Sequence, residues 1–471
     1  MAATPNARRD ITADDVAALA ARVSGPVLRA GEIGFGDEAS TINLSLRYEP
    51  DVIVGATDAV DVQAAVRFAR EHGLPVAVVA TGHGPARPVT EGVLITTRRM
   101  TGVTIDQAAR TARVEAGVRW QQAVDEAAAH GLAPLTGSAP SVGVVGYTLG
   151  GGLSVTLGRA YGWAADQVRS IDVVTADGEL RHASADTETD LFWALRGGKI
   201  NFGVVTALEF GLFPVDRLYA GGLFFSGYNL REVLDAYRAL AERAPDNLMS
   251  SVAVLRMPAA PPAFHAAPWE PVMVHVRVSY LGDPVEGERL IAPLRDAAPV
   301  LLDMVEDRPY REFGLIAPGP ARPIATVEQF ALLKEMPPEA AEAIVRVAGP
   351  DAEPGVNIID FRHLGGALAV SEGRQPSAVD PLDAEFLIIL STVVAQGDGE
   401  ERSAVGLDLL DALRPWLSDH KHANFLAPSD ATESGIRGAF RPATYERLRD
   451  VKARFDPDNM FRKSHTIPPA G

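Results

Sequence analysis

The sequence predicts an α+β protein of two domains, and three observations predict it. Up to Pro214, short apolar strands alternate with amphipathic helices, with turn residues between them. Beyond Pro214 the texture changes to longer strands with helices between, among them Val272–Tyr280, where alternate residues face opposite ways. From Asn424 the tail returns to glycine, a helix and the turn Asp456-Pro457-Asp458-Asn459. The middle segment suggests an antiparallel sheet covered by helices on one face.

In chain order, Asp51–Ala56 reads as a strand. A helix follows with Val62, Ala65, Val66 and Ala69 on one face, Thr57 or Asp58 as cap and Gly73 as stop. Pro75–Ala80 is too apolar for a half-exposed strand and runs into Thr81-Gly82-His83-Gly84, a glycine-flanked histidine and a candidate ligand site. Gly92–Thr96, Val103–Asp106 and Arg113–Ala116 are further strands, and Arg119–His130 is a helix stopped by Gly131. Val168–Thr175 leads into a hairpin turn at Asp177-Gly178, then come a helix over Thr189–Leu195 and a strand over Gly203–Phe210. The middle segment reads as helices over Leu230–Ala241, Glu286–Ala297 and Ala404–Trp416. It adds strands over Val356–His363 and Phe386–Ala395, with proline-rich loops over Met257–Pro271 and Ile316–Pro323. The tail helix spans Ala443–Ala453.

Between Gly137 and Gly152 the chain reads GSAPSVGVVGYTLGGG, with six glycines and no charge. Glycine is costly in chain entropy, so such a cluster marks either a tight loop or a backbone wall that a ligand approaches closely. Gly143, Gly146, Gly150, Gly151 and Gly152 would expose backbone N–H groups along that wall, which suits a phosphate or an electron-rich ring. The spacing matches neither the dinucleotide fingerprint nor a P-loop.

Composition narrows the function. The chain has 471 residues, 47% of them hydrophobic, and a net charge of −17 with a pI near 5.1. That balance argues against nucleic acid or an anionic membrane as partner. There is no cysteine, which excludes disulfides, thiolate metal sites and cysteine nucleophiles. No apolar signal region or membrane-length apolar run is visible, so the expectation is a cytoplasmic protein. No HExxH and no GxSxG occurs. Asp419-His420-Lys421-His422 reads as a solvated surface run, and no metal site is expected.

The segments PVAVVATGHG, RVEAGVRW, GLAPLTGSAPSVGVVGYTLGGG, GWAADQV, DLFWALRGGKINFGVVT and FDPDNMFRKSHTIPP, in this order, resemble the berberine bridge enzyme-like flavin oxidases. These carry the FAD-binding domain of the vanillyl-alcohol-oxidase, or PCMH-type, superfamily. The resemblance covers Tyr48–Phe213 and Asn424–Pro469. It implies an FAD-binding domain of residues 1–214 plus 424–471, with a substrate domain, residues 215–423, inserted between. It also implies FAD as cofactor, a small-molecule substrate and molecular oxygen as acceptor. Matched residue by residue, the cofactor set is Thr81, Gly82, His83, Gly84, Gly137, Ser138, Ser141, Val142, Gly143, Gly146, Tyr147, Gly203, Val205 and Asn424.

His83 falls where many relatives bond a histidine to the flavin 8α-methyl group. A second, cysteinyl link is impossible, because its position is Ala139. Val142 matches a site where a small side chain admits oxygen, and Tyr147 stands where plant relatives have a histidine. Lys199-Ile200 departs from the glycines usual before Asn201-Phe202-Gly203. The resemblance implies a hydride moved from an organic alcohol to flavin N5, with a base from the middle sheet. Candidates are His363, Asp360, Tyr280, His275 and Arg277, with Tyr147 opposite; Tyr147 and His363 are the expected catalytic pair. His275 and Tyr280 cannot both face the flavin from one strand without a bulge. A non-redox cyclase using FAD as scaffold, or a flavin-binding protein without turnover, are the alternatives.

Overall fold

The computed structural model describes residues 10–84, 87–257, 268–317, 322–353, 355–369, 373–396 and 406–471. Parts of both expected proline-rich loops, and the start of the helix expected from Ala404, lie outside the described residues.

Three sheets organise the chain. The first holds β1 (Val27–Leu28), β2 (Val52–Gly55), β3 (Val76–Val79) and β4 (Val93–Thr96) in the order β1-β2-β4-β3, with β2, β4 and β3 parallel. The apolar run of β2 has no exposed member because Val52 and Val54 pack under the helix Ala59–Glu71. Asp58 caps that helix, accepting from the N–H groups of Val60 and Asp61. The second sheet is antiparallel: β5 (Val103–Asp106), β6 (Thr111–Glu115), β9 (Val204–Gly211), β7 (Val168–Val174) and β8 (Leu180–Ser184), in that order.

The third sheet is the large one. It comprises β10 (Arg217–Ser226), β11 (Leu248–Arg256), β12 (Val272–Tyr280), β13 (Val300–Asp303), β14 (Glu306–Pro309), β15 (Thr326–Leu333), β16 (Ile358–His363) and β17 (Phe386–Val393). Its path runs β13-β10-β12-β11-β16-β17-β15, all antiparallel, with β14 pairing β10. The helices Leu230–Ala241, Pro284–Arg295, Pro338–Ala348 and Leu407–Leu413 cover one face. Residues on β10, β11 and β15 carry no clean polar–apolar alternation, because both faces of this sheet are covered and its polar face is buried as well.

The tail closes back on the first two sheets. Met460 accepts from the N–H of Val76, Lys463 pairs with Glu91 at 2.8 Å, and Ile467 N–H donates to Asn201 Oδ1 at 2.8 Å. Within the tail helix Pro442–Phe455, Lys452 is fully buried against Asp456 at 2.6 Å.

Candidate active site

The glycine stretch is not a bare loop. Val144–Thr148 forms one helical turn inside it, and the following glycines serve close packing as much as ligand approach. A Cβ at Gly150 would stand 1.7 Å from Asn424 Oδ1, and one at Gly151 (φ +118°) would stand 2.8 Å from His422 Cε1. Asn424 in turn donates from Nδ2 to the Tyr147 carbonyl at 2.7 Å, tying the tail to the turn. Around Gly84 and Gly146, by contrast, there is open space.

His83 ends the β3 segment. Its Nδ1 meets Thr81 Oγ1 at 2.9 Å and its Nε2 meets Ser141 Oγ at 3.0 Å. Burial, with the Arg119 guanidinium adding to it, pushes the imidazole down to about 4, so the ring is neutral. Val142 is half-buried beside it, and its carbonyl accepts from Trp120 N–H. Gly143 packs near Thr81, and Gly137 lies against the Tyr147 ring. Tyr147 also meets Trp120 edge-on at 5.3 Å. Its hydroxyl is buried and has no partner among the described residues. Burial raises the phenol well above 10, with Tyr310 adding and Arg362 opposing, so it remains a proton donor. Val205 lies beyond the stretch of β9 paired with β6, and Gly203 sits against Val173 and Val174.

The third sheet presents its uncovered-by-helix face to residues 153–163. On that face Asp360 Oδ2 accepts from Arg277 Nη1 at 2.8 Å and from Arg362 Nε at 3.0 Å. Burial works to raise the Asp360 carboxyl, but the two guanidiniums outweigh it and hold it below the usual range. Its Oδ1 is buried and has no partner among the described residues. Arg277 also donates to His275, which is stacked on Phe224 at 3.9 Å and held neutral by burial and by Arg277. A small cavity lies between this face and the glycine segment, lined by Ser138, Val155, Ser251, Arg277 and Arg362 among others.

Two expected residues fall elsewhere. His363 is not at this cavity. Side chains alternate along β16, so His363 shares the helix-covered face with Ile359 and Phe361, while Asp360 and Arg362 take the other. There it stacks on Phe386 at 5.3 Å and meets Arg159, and burial pushes it down to about 3. Tyr280 lies on the same covered face. His422, read as part of a surface run, is buried and stacked on Trp163 at 4.4 Å, with no partner for Nε2 among the described residues. Beside it Lys199 takes φ +57°, the backbone region glycine favours, and burial pushes its amine down to about 8.

Glu328 is a titratable residue of this face that the sequence alone does not flag. It sits on β15 on the same face as Phe330 and Leu332, opposite the helices. No hydrogen bond reaches its carboxyl among the described residues. Burial pushes it up to about 7, with Arg362 pulling the other way. A lone glutamate in the apolar run Thr326–Leu333 is the signal that would have found it.

The segments Thr81–Gly84 and Ser138–Tyr147 meet through His83 and Ser141, carry no acidic or cationic Lys or Arg side chain, leave open space at Gly84 and Gly146, and hold a phenol without a partner among the described residues. Such a set is compatible with a flat heteroaromatic cofactor. The FAD binding domain model matches residues 50–184, and a model described as berberine and berberine like matches residues 437–468. The chain is an FAD-dependent oxidoreductase, similar to the berberine bridge enzyme-like proteins. It is 28% identical over 464 residues to (R)-6-hydroxynicotine oxidase of Paenarthrobacter nicotinovorans, covering 95% of this chain and 98% of that one. The crystal structure of 6-hydroxy-D-nicotine oxidase from Arthrobacter nicotinovorans superposes with a TM-score of 0.80 at 27% identity, covering 95% and 98%. Xylooligosaccharide oxidase from Myceliophthora thermophila shares the fold, with a TM-score of 0.81 at 22% identity over 97% and 99% of the chains. No helix among the described residues of the oxidoreductase is long and apolar enough to cross a membrane.

Proposed function

We propose that this flavoenzyme is an oxidase of a small organic alcohol or amine, with molecular oxygen as acceptor and hydrogen peroxide as product. The observation that carries the reading is one cavity lined by Ser138, Arg277 and Arg362, with Tyr147 and Glu328 each close enough to feel Arg362 and Asp360 bonded to both guanidiniums. FAD, when bound, takes up the hydride from a substrate C–H bond. The chain must then accept the proton of the attached O–H or N–H. Glu328 can hold it, ionised above about pH 7 and bare of other partners. Tyr147, a neutral phenol, donates a hydrogen bond from the opposite wall. Acceptance by oxygen is supported by the small, half-buried Val142 and by the oxidase activity named for the relatives.

The cofactor set is Thr81, Gly82, His83, Gly84, Gly137, Ser138, Ser141, Val142, Gly143, Gly146, Tyr147, Gly203, Val205 and Asn424. The domain division at residues 214 and 424 is supported by the tail's bonds to Val76, Glu91 and Asn201. Stopped-flow mixing of photoreduced enzyme with oxygen tests the acceptor. Reoxidation far faster than that of free flavin is expected; a rate equal to it moves the protein to the dehydrogenases.

His83 is the tether in this reading. Its neutral ring keeps a nitrogen lone pair available, and Thr81 and Ser141 hold its orientation. After acid precipitation the wild-type pellet is expected to stay yellow and the His83→Ala pellet to be colourless. A colourless wild-type pellet would leave His83 as a polar contact only.

A further inference from the structure

The hydrogen bonds on the sheet face leave one guanidinium incompletely paired. Arg277 and Arg362 share a single oxygen of a single carboxylate, Asp360. Arg277 spends its remaining contacts on His275 and Ser251. Arg362 spends only Nε on Asp360, and Nη1 and Nη2 make no hydrogen bond among the described residues. Arg362 lines the cavity together with Ser138 and Ser251. Glu328 is near enough to feel Arg362 but forms no ion pair with it. A guanidinium edge with two parallel N–H groups matches the two oxygens of a carboxylate. With no acceptor among the described residues, that edge is open to an anion that enters the cavity.

Resting on the active-site reading above, we propose that the substrate is an organic acid whose carboxylate docks on Nη1 and Nη2 of Arg362. The oxidisable carbinol or amine then lies toward Tyr147 and Glu328. Two guanidiniums against the one carboxylate bonded to them suit a monoanion while Glu328 is protonated; a phosphate dianion would need further cationic donors that the cavity wall does not supply. Arg362 is thus a specificity residue, and neutral sugars or uncharged alkaloids lack the group it needs.

Benzoate and benzamide, equal in shape and different in charge, are the probes. Binding to the FAD-loaded enzyme is followed by calorimetry and by the flavin absorption spectrum. Wild-type enzyme is expected to bind benzoate well and benzamide weakly, with benzoate perturbing the spectrum. Arg362→Gln should weaken benzoate by roughly 30-fold or more and leave benzamide unchanged. Arg362→Lys, which keeps the charge without the fork, should lie between. In both variants Asp360 keeps Arg277 at 2.8 Å, and unchanged benzamide binding checks that the site is intact. The proposal is overturned if benzoate binds no tighter than benzamide, or if Arg362→Gln leaves it unchanged. It is also overturned if inorganic phosphate competes as well as benzoate does. Benzoate bound through Arg362 without a spectral change would place the anion away from the reacting ring and equally end the substrate role. Slow reoxidation by oxygen, by contrast, would sink the oxidase reading and leave this docking standing.

Discussion

Glu328→Gln is expected to lower the rate of anaerobic flavin reduction by substrate by about 10²–10⁴-fold, the usual contribution of a positioned general base. The amide keeps the shape and removes the proton acceptor. The pH profile carries the sharper sign. A carboxyl pushed up to about 7 is protonated below that pH and cannot accept a proton. Wild-type flavin reduction should therefore rise through pH 7 and level off above it. In Glu328→Gln that limb should vanish, leaving a low, flat rate. A merely structural glutamate would alter stability without removing the limb. A variant within tenfold of wild type, still titrating near 7, would return the role of base to Tyr147 or to a water.

The largest stability effect is expected far from the cavity, at Asp456. Its Oδ2 accepts from Lys452 Nζ at 2.6 Å and from Phe461 N–H at 2.9 Å, and its Oδ1 accepts from Met460 N–H at 2.7 Å. Both side chains are fully buried. Asp456→Ala leaves a buried ammonium with only the Asn201 carbonyl at 2.7 Å and orphans two backbone donors. The expected loss is about 3–5 kcal/mol, as for other buried pairs broken on one side. Lys452→Met should cost less, since Asp456 would keep its two backbone donors. Urea denaturation of the two variants checks the order, and Asp456→Ala within about 1 kcal/mol of wild type would refute it. Because Lys452 holds Asn201, and Asn201 holds Ile467 and His465, FAD retention should fall with Asp456→Ala as well.

Much of this protein is local and was therefore readable. The helix Leu230–Ala241 and the strand Val272–Tyr280 have the bounds their periodicity predicts, because amphipathic spacing is a property of neighbours along the chain. The motif set around His83, Tyr147 and the tail pointed to the flavoprotein family, and the absence of cysteine alone excluded a second covalent link.

Parity could not choose a face. Alternation along β16 separates His363 from Arg362, yet only the packing of helices on Ile359 and Phe361 decides which of them meets the cavity. Likewise β12 puts Tyr280 and Arg277 on opposite sides, and the covering layer sends Tyr280 away. Contacts distant in sequence decided the rest. Glu328 acquires its raised carboxyl from burial between layers and its electrostatic neighbour from a strand two places away. His422 leaves the surface because it stacks on Trp163, and Gly150 is required by Asn424, a residue of the tail. What the sequence determined by itself was the set of elements, the cofactor family and the absence of cysteine chemistry. Which polar residues share one dry cavity was decided by tertiary structure, because burial and electrostatic pairing depend on neighbours in space and not on neighbours in the chain.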